Sequence, residues 1–449
     1  MASTAVVVFT RDLRVHDNPV LGNARRTADR VVPLFVFDDA ILASPYNTPN
    51  RTGFLVESLH DLDGSLRTRG ARLVVRRGDW VEEVLAVARQ VRAATVHVGR
   101  DVSGFAQRRL DALERAAAAC DVDVRACDGI TVVPPGVLTP TGGDHYKVFT
   151  PYHRRWRALT LPPRISPPRA IPGPVRLASG RIPRLDALVR GSRAPDLPVG
   201  GEHAARRRLS AWARRSLRGY DDAHDDLAAD RTSHLSADLH FGCLSAADVV
   251  RASRDRAGGE PFVRQVCWRD FFHQVLAARP DAAWSDYRPR RGRRWRNDPE
   301  GFAAWCEGRT GYPLVDAGMR QLRAEGWMHN RARLVTASFL VKDLGIDWRE
   351  GARHYFDLLL DGDVAQNVGN WQWVAGTGVD SRPSRVFNPT AQAKRLDPDG
   401  DYVRRWVPEL DGVRDPLSPG LLAPSYPPPI VDHGEAVAAF RARRGARPA

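Results

Sequence analysis

Lysine is nearly absent: Lys147, Lys342 and Lys394 are the only three, so 64 of the 67 basic residues are arginine. Cysteine is scarce too. The five present (Cys120, Cys127, Cys243, Cys267, Cys306) are scattered and never form a CxxC pair, which excludes a disulfide framework or a zinc site and reads as reduced thiols of a cytosolic protein. No apolar run reaches the roughly 20 residues of a membrane span. The chain opens on the strand-like AVVVF without a charged leader, so no signal peptide is expected. No GxGxxG follows that first apolar run, which excludes the usual dinucleotide fingerprint. His329 has no second ligand at helical spacing, and no metal is expected.

What is present points elsewhere. A length of 449 residues suggests two or three domains with sizeable cores. The net charge of +14 predicts an anionic partner, nucleic acid being the commonest, although the arginine skew also resembles a GC-rich coding bias. Within the first 130 residues, β-branched runs (Ala5–Phe9, Val31–Phe37, Leu73–Val75, Thr95–Val98, Val122–Val124) alternate with helical patterns around Val20–Ala28, Gly53–Arg69, Val81–Val91 and Phe105–Ala119. This alternation predicts an α/β domain with a doubly wound parallel sheet and a ligand crevice at the strand carboxyl ends. The charged residues after the strands, Arg11, Asp12, Arg14, Asp38, Asp39, Arg100 and Asp101, suit a ligand other than a dinucleotide, or a plain solvated loop.

Residues 131–200 turn rich in Pro, Gly and Arg, including LPPRISPPRAIPGP, and read as a long linker over the surface of both halves. From residue 201 the chain reads as all-α and holds ten of its twelve tryptophans. Its most informative stretch is DGDVAQNVGNWQW, Asp361 to Trp373. Acids that can accept from imide-type N–H groups, glycines that permit close approach and indoles that stack or give up an electron suit a flavin pocket. The plainer alternative is a polar turn before an aromatic core helix. TSHLS, Thr232 to Ser236, offers hydroxyls and backbone N–H groups before a helical run, as a phosphate site or as an ordinary cap. In GWMHNRARLVTASFLVKDLGIDWREG, Asn330, Arg331 and Arg333 share adjacent faces of one helix.

The segments RDLRVHDNPVL, TSHLS, WRDFF, TGYPLVDAGMRQL, GWMHNRARLVTASFLVKDLGIDWREG, LDGDVAQNVGNWQW and RVFNP resemble the photolyase/cryptochrome family in order and spacing along almost the whole chain. The resemblance is strongest to its bacterial cyclobutane-dimer branch. It implies an antenna-binding α/β domain over residues 1–130, the linker 131–200, and an all-α C-terminal FAD-binding domain over residues 201–449. It also implies light-driven repair of cyclobutane pyrimidine dimers in DNA by a cytoplasmic monomer.

Residue by residue, the resemblance assigns Tyr220, Thr232, Ser233, Leu235 and Ser236 to the FAD phosphates and ribitol. Asn330, Arg333, Asp361, Asp363 and Asn367 fall around the isoalloxazine, Asn367 where the family faces flavin N5. Trp371, Trp348 and Trp295 take the places of the electron-transfer chain, from the flavin outward. Trp268 and Trp373 stand as walls for a flipped dimer, with Gln265 and Asn330 at the substrate and Arg331 and Arg385 as clamps on the DNA backbone. Gln265 departs from the glutamate usual in the cyclobutane-dimer enzymes, and a (6-4) photolyase is kept as an alternative on that account. Asn330 and Leu334, where (6-4) enzymes carry two histidines, favour the cyclobutane dimer. A cryptochrome-like photoreceptor is the other alternative; Asn367 and the absence of a long extension after SYPPPI weigh against it. FVFDDAIL with Asp38, together with Arg51 and Asp101, resembles the branch whose antenna is 8-hydroxy-5-deazaflavin, methenyltetrahydrofolate being the alternative.

Overall fold

The computed structural model describes residues 2–173, 177–289, 295–379 and 384–445. Strands β1 (Thr4–Val8), β2 (Arg30–Asp38), β3 (Val74–Gly78), β4 (Thr95–Gly99) and β5 (Asp123–Cys127) form one sheet in the order β3-β2-β1-β4-β5. Every pairing is parallel, and Val6 lies opposite both Val32 and Val96. All five residues of β1 are buried, as a central parallel strand covered on both faces requires. Helices α1 (Pro19–Thr27), α2 (Asp39–Leu42), α3 (Pro49–Arg67), α4 (Trp80–Gln90) and α5 (Gly104–Ala118) make the crossovers. Their starts follow local chemistry: Asn18, Asp79 and Ser103 each accept a backbone N–H of the first turn of α1, α4 and α5.

Every further regular element among the described residues is helical. The chain runs through α6 (Phe149–Arg157), α7 (Glu202–Arg215), α8 (Tyr220–Ala223), α9 (Ser236–Phe241), α10 (Ala246–Ser253) and α11 (Gly259–Ala278). There follow α12 (Pro299–Glu307), α13 (Pro313–Glu325), α14 (Asn330–Ser338), α15 (Trp348–Leu358), α16 (Val364–Ala375), α17 (Pro389–Leu396), α18 (Asp401–Trp406) and α19 (His433–Gly445). No helix among the described residues is long and apolar enough to cross a membrane.

Two compact units divide the chain: residues 1–193, 198–218 and 233–280 form the first, residues 194–197, 219–232 and 281–449 the second. The division differs from a boundary at residue 200, because the loop after β1 binds the helices near 240 and 250. Arg14 donates to the Gly242 carbonyl (2.9 Å), and Asp17 accepts from the Ser245 hydroxyl (2.5 Å) and Arg251 (3.1 Å). The stretch read as a linker also contains structure. In α6, Phe149, Tyr152 and Trp156 are buried at the i, i+3, i+7 spacing of one helix face, a pattern masked by the prolines around it. Residues 174–176 of that stretch lie outside the described residues.

Candidate functional site

In the second unit, Asp361 closes the turn after α15, and Asp363 begins α16 by accepting from the Gln366 N–H (2.9 Å). Arg333, on α14, donates to Asp361 Oδ2 at 2.8 Å while its Nε donates to the Met328 carbonyl at 2.8 Å. The Asp361 side chain is 3% exposed, and its other oxygen, Oδ1, is buried without a hydrogen-bond partner. An uncompensated buried carboxylate oxygen is costly, so Oδ1 calls for a donor from a bound group. Asn367 is buried on α16 and its amide Nδ2 donates to the Ala352 carbonyl of α15 at 3.0 Å, which leaves the amide oxygen and a second N–H to offer. Thr232 Oγ1 is likewise buried without a partner. These donor sets fit a flavin: acceptors for imide N–H groups, and a neutral amide where a second carboxylate would repel reduced flavin.

Tyr220, at the start of α8, stacks on His224 with centroids 5.1 Å apart. Ser233, Leu235 and Ser236 belong to the first unit, where Ser236 opens the short helix α9. Asp238 in that first turn is fully buried and ion-paired with Arg208; burial pushes its carboxyl up to about 6 against that pairing.

Trp371 and Trp348 are buried in the apolar core of the second unit and Trp295 packs half-buried against it, so the three residues proposed as a relay share one cluster. Trp348 Nε1 donates to Asp286 (2.8 Å), whereas Trp371 Nε1 is buried without a partner. Gly351 explains how α15 and α16 approach: a Cβ there would stand 2.2 Å from Trp371 Cη2. Two further rings beside Trp371 escaped the sequence reading, Tyr355 at 4.9 Å and Trp305 at 6.1 Å between centroids. Tyr355 lies seven residues after Trp348, the spacing that returns to the same face of a helix, and that was the available signal.

Of the substrate set, Asn330, Arg331, Trp373 and Arg385 lie in the second unit, Gln265 and Trp268 in the first. Asn330 is exposed at the start of α14, and the neighbouring His329 caps that helix, accepting from the Arg331 N–H at 3.2 Å. Arg331 is ion-paired with Asp225, which also meets Arg395 at 3.2 Å; burial opposes ionisation there, but the guanidinium pairing holds Asp225 below the usual carboxylate range. The Arg385 guanidinium lies 5.6 Å from the Trp373 ring centre. Gln265 is exposed and Trp268 half-buried on α11. Trp268 stacks face to face on Phe149.

The strand carboxyl ends are already engaged within the protein. Arg11 pairs with Asp101 (3.2 Å) across the ends of β1 and β4 and donates to the His240 carbonyl (3.0 Å). Gly242, at φ +68°, packs so tightly on this loop that a Cβ would stand 1.8 Å from the Arg11 carbonyl oxygen. Asp38 caps α2 and pairs with Arg109 (3.0 Å), whose guanidinium covers the Trp80 ring. Arg51 donates to the Tyr46 carbonyl through Nε and Nη2.

Comparison with known proteins gives the following likenesses. A family model described as DNA photolyase matches residues 5–172, and one described as FAD binding domain of DNA photolyase matches residues 262–446. The chain is 52% identical over 455 residues to the deoxyribodipyrimidine photo-lyase of Streptomyces griseus, with 99% of each chain covered. A bacterial class III photolyase from Agrobacterium tumefaciens shares its structure with a TM-score of 0.92 and 33% identity over 99% of this chain and 97% of that one. A cryptochrome from Synechocystis sp. PCC6803 matches with a TM-score of 0.90 and 30% identity over 98% and 99% of the two chains.

Proposed function

The chain belongs to the DNA photolyase family, and we propose that it is a deoxyribodipyrimidine photo-lyase that repairs cyclobutane pyrimidine dimers in DNA by light with FAD as its cofactor. The 52% identity along the full length of the Streptomyces griseus enzyme carries this reading. The buried Asp361 Oδ1, awaiting a donor beside Arg333, supports the flavin assignment.

When bound, reduced FAD would supply the light-driven one-electron chemistry that opens the dimer ring. The protein's part is position and field. Asp361 and Arg333 hold a fixed charge pair at the flavin, Asn367 offers its amide oxygen, and Asp363 and Asn330 complete that rim. Tyr220 and the stretch Thr232, Ser233, Leu235 and Ser236 bind the phosphates and ribitol. Trp371, Trp348 and Trp295 relay electrons inward. Trp268 and Trp373 stack against a dimer extruded from the duplex, which costs less for a damaged, badly stacked pair. Gln265 hydrogen-bonds its edge, and Arg331 and Arg385 hold flanking phosphates. The enzyme works as a monomer in the cytoplasm.

The antenna is 8-hydroxy-5-deazaflavin. Asp38, Arg51 and Asp101 act on it through the loops they fix, since each already bonds within the protein. Excitation transfer to FAD from added methenyltetrahydrofolate alone would overturn that assignment.

The repair reading is tested by illuminating the reduced holoenzyme with oligonucleotides carrying one cyclobutane dimer or one (6-4) product. Restoration of the first only is expected. Repair of the (6-4) lesion would favour the other photolyase class, and repair of neither would favour a cryptochrome-like photoreceptor.

A further inference from the structure

The segment between the sheet and the helical half is bound to α11 at three places. Asp270 Oδ2 accepts from the Val132 and Val133 N–H groups (3.0 and 2.9 Å) and from Trp156 Nε1 (2.9 Å). One turn further on, Gln274 both accepts from the Tyr146 N–H (2.9 Å) and donates to the Tyr146 carbonyl (2.8 Å). These bonds seat α6 beside Trp268. The Phe149 ring, only 6% exposed, then lies over the indole with centroids 3.6 Å apart and planes 5° from parallel. His153 continues the pile on Phe149 (5.5 Å, 16°), and the Arg264 guanidinium lies 5.7 Å from the Phe149 ring.

Aromatic pairs left to themselves favour offset or edge-on arrangements over full overlap. The neighbouring pairs do so: Phe149 meets Phe271 at 89°, and Trp268 meets Phe271 at 87°. The overlap of Phe149 with Trp268 is therefore imposed by the anchored α6. It fixes the plane of an indole that is half-buried and next to the exposed Gln265 and Arg264.

We propose that Phe149 is a positioning residue for damage recognition: it backs one face of Trp268 and so presets the plane against which the extruded dimer stacks. The inference rests on the reading of Trp268 as a substrate wall. A preset ring loses less freedom on binding than one that must be ordered by the ligand, so the gain appears in affinity for damaged DNA and not in phosphate contacts.

The test compares the holoenzyme with its Phe149→Leu, Phe149→Tyr and Trp268→Ala variants. Dissociation constants are measured for a duplex with one cyclobutane dimer and for the undamaged duplex. The readout is their ratio, which a partial loss of folded protein moves little because it lowers both bindings together. Phe149→Leu is expected to reduce the ratio about two- to tenfold, the size of one aromatic pair. Phe149→Tyr, which keeps the ring, is expected to restore it. A ratio unchanged in Phe149→Leu while Trp268→Ala loses it would overturn the role of Phe149. A ratio unchanged in Trp268→Ala would instead overturn the reading of Trp268, and the proposal with it.

Discussion

Replacing Asp361 by Asn keeps the side-chain shape and removes one charge. In the protein, Oδ2 takes the Arg333 Nη2 proton at 2.8 Å and Oδ1 is buried without a partner. An amide can serve only one of these roles: if its oxygen meets Arg333, its NH2 faces any donor that Oδ1 would have accepted. Breaking a fully buried ion pair costs about 3–5 kcal/mol. Arg333 is 23% exposed and keeps its bond to Met328, so about 1–3 kcal/mol of stability is the reasonable expectation. A charge-assisted bond to the flavin adds about 1.5–3 kcal/mol, so the FAD dissociation constant should rise roughly tenfold to a hundredfold. Flavin fluorescence titration of the apoprotein at pH 7.5, beside thermal melts, measures both quantities. An Asp361→Asn variant that binds FAD within twofold of wild type would refute the assignment of Oδ1 to the cofactor.

Trp371→Phe should keep FAD but stop photoreduction of oxidised flavin under external reductant, and Gly351→Ala, whose Cβ would press on Trp371 and Leu340, should cost about 1–3 kcal/mol and slow it; normal rates in both, read from the flavin spectrum, would remove Trp371 from the relay. Arg331→Ala and Arg385→Ala should each lower the salt dependence of DNA binding by about one unit of slope. Arg331→Ala should weaken binding more, because it also removes one of the two guanidinium groups that offset the Asp225 charge, and equal losses in filter binding would count against this. Acid should expose His97 and His354, which burial holds down at about 4. The unfolded chain takes up their protons below about 6.5 while the folded one does not, so their contribution to stability is lost as the pH falls from 6.5 towards 4. Asp270 and Asp238, raised by burial to about 6, work in the opposite sense over the same range. His97→Asn should therefore shrink the drop in melting temperature between pH 7.5 and pH 5, and an unchanged drop would contradict the buried neutral imidazole.

The sheet was legible because buried parallel strands are continuous apolar runs and the crossover helices carry their caps in sequence. The pairing of Arg333 with Asp361, 28 positions apart, had no local pattern to announce it; the family resemblance alone set the two residues in one group. Asp363, which the resemblance sets beside the flavin, caps α16 in the structure. The seat of α6 stayed hidden because prolines dominate its surroundings, and its anchors, Asp270 and Gln274, lie more than a hundred residues away. The charges after the strands looked like ligand contacts because loop polarity does not say whom a charge meets. In the structure Arg11, Asp38 and Asp101 meet protein partners.

The central claim is that light absorbed by the bound flavin drives dimer repair. An action spectrum tests it most directly: cyclobutane-dimer oligonucleotide restored per incident photon, measured across the near-UV and blue with reduced holoenzyme lacking any antenna, with a dark control. Repair efficiency should follow the absorption of the protein-bound reduced flavin and vanish in the dark. Repair that proceeds in the dark, or that bears no relation to that absorption, would contradict the account.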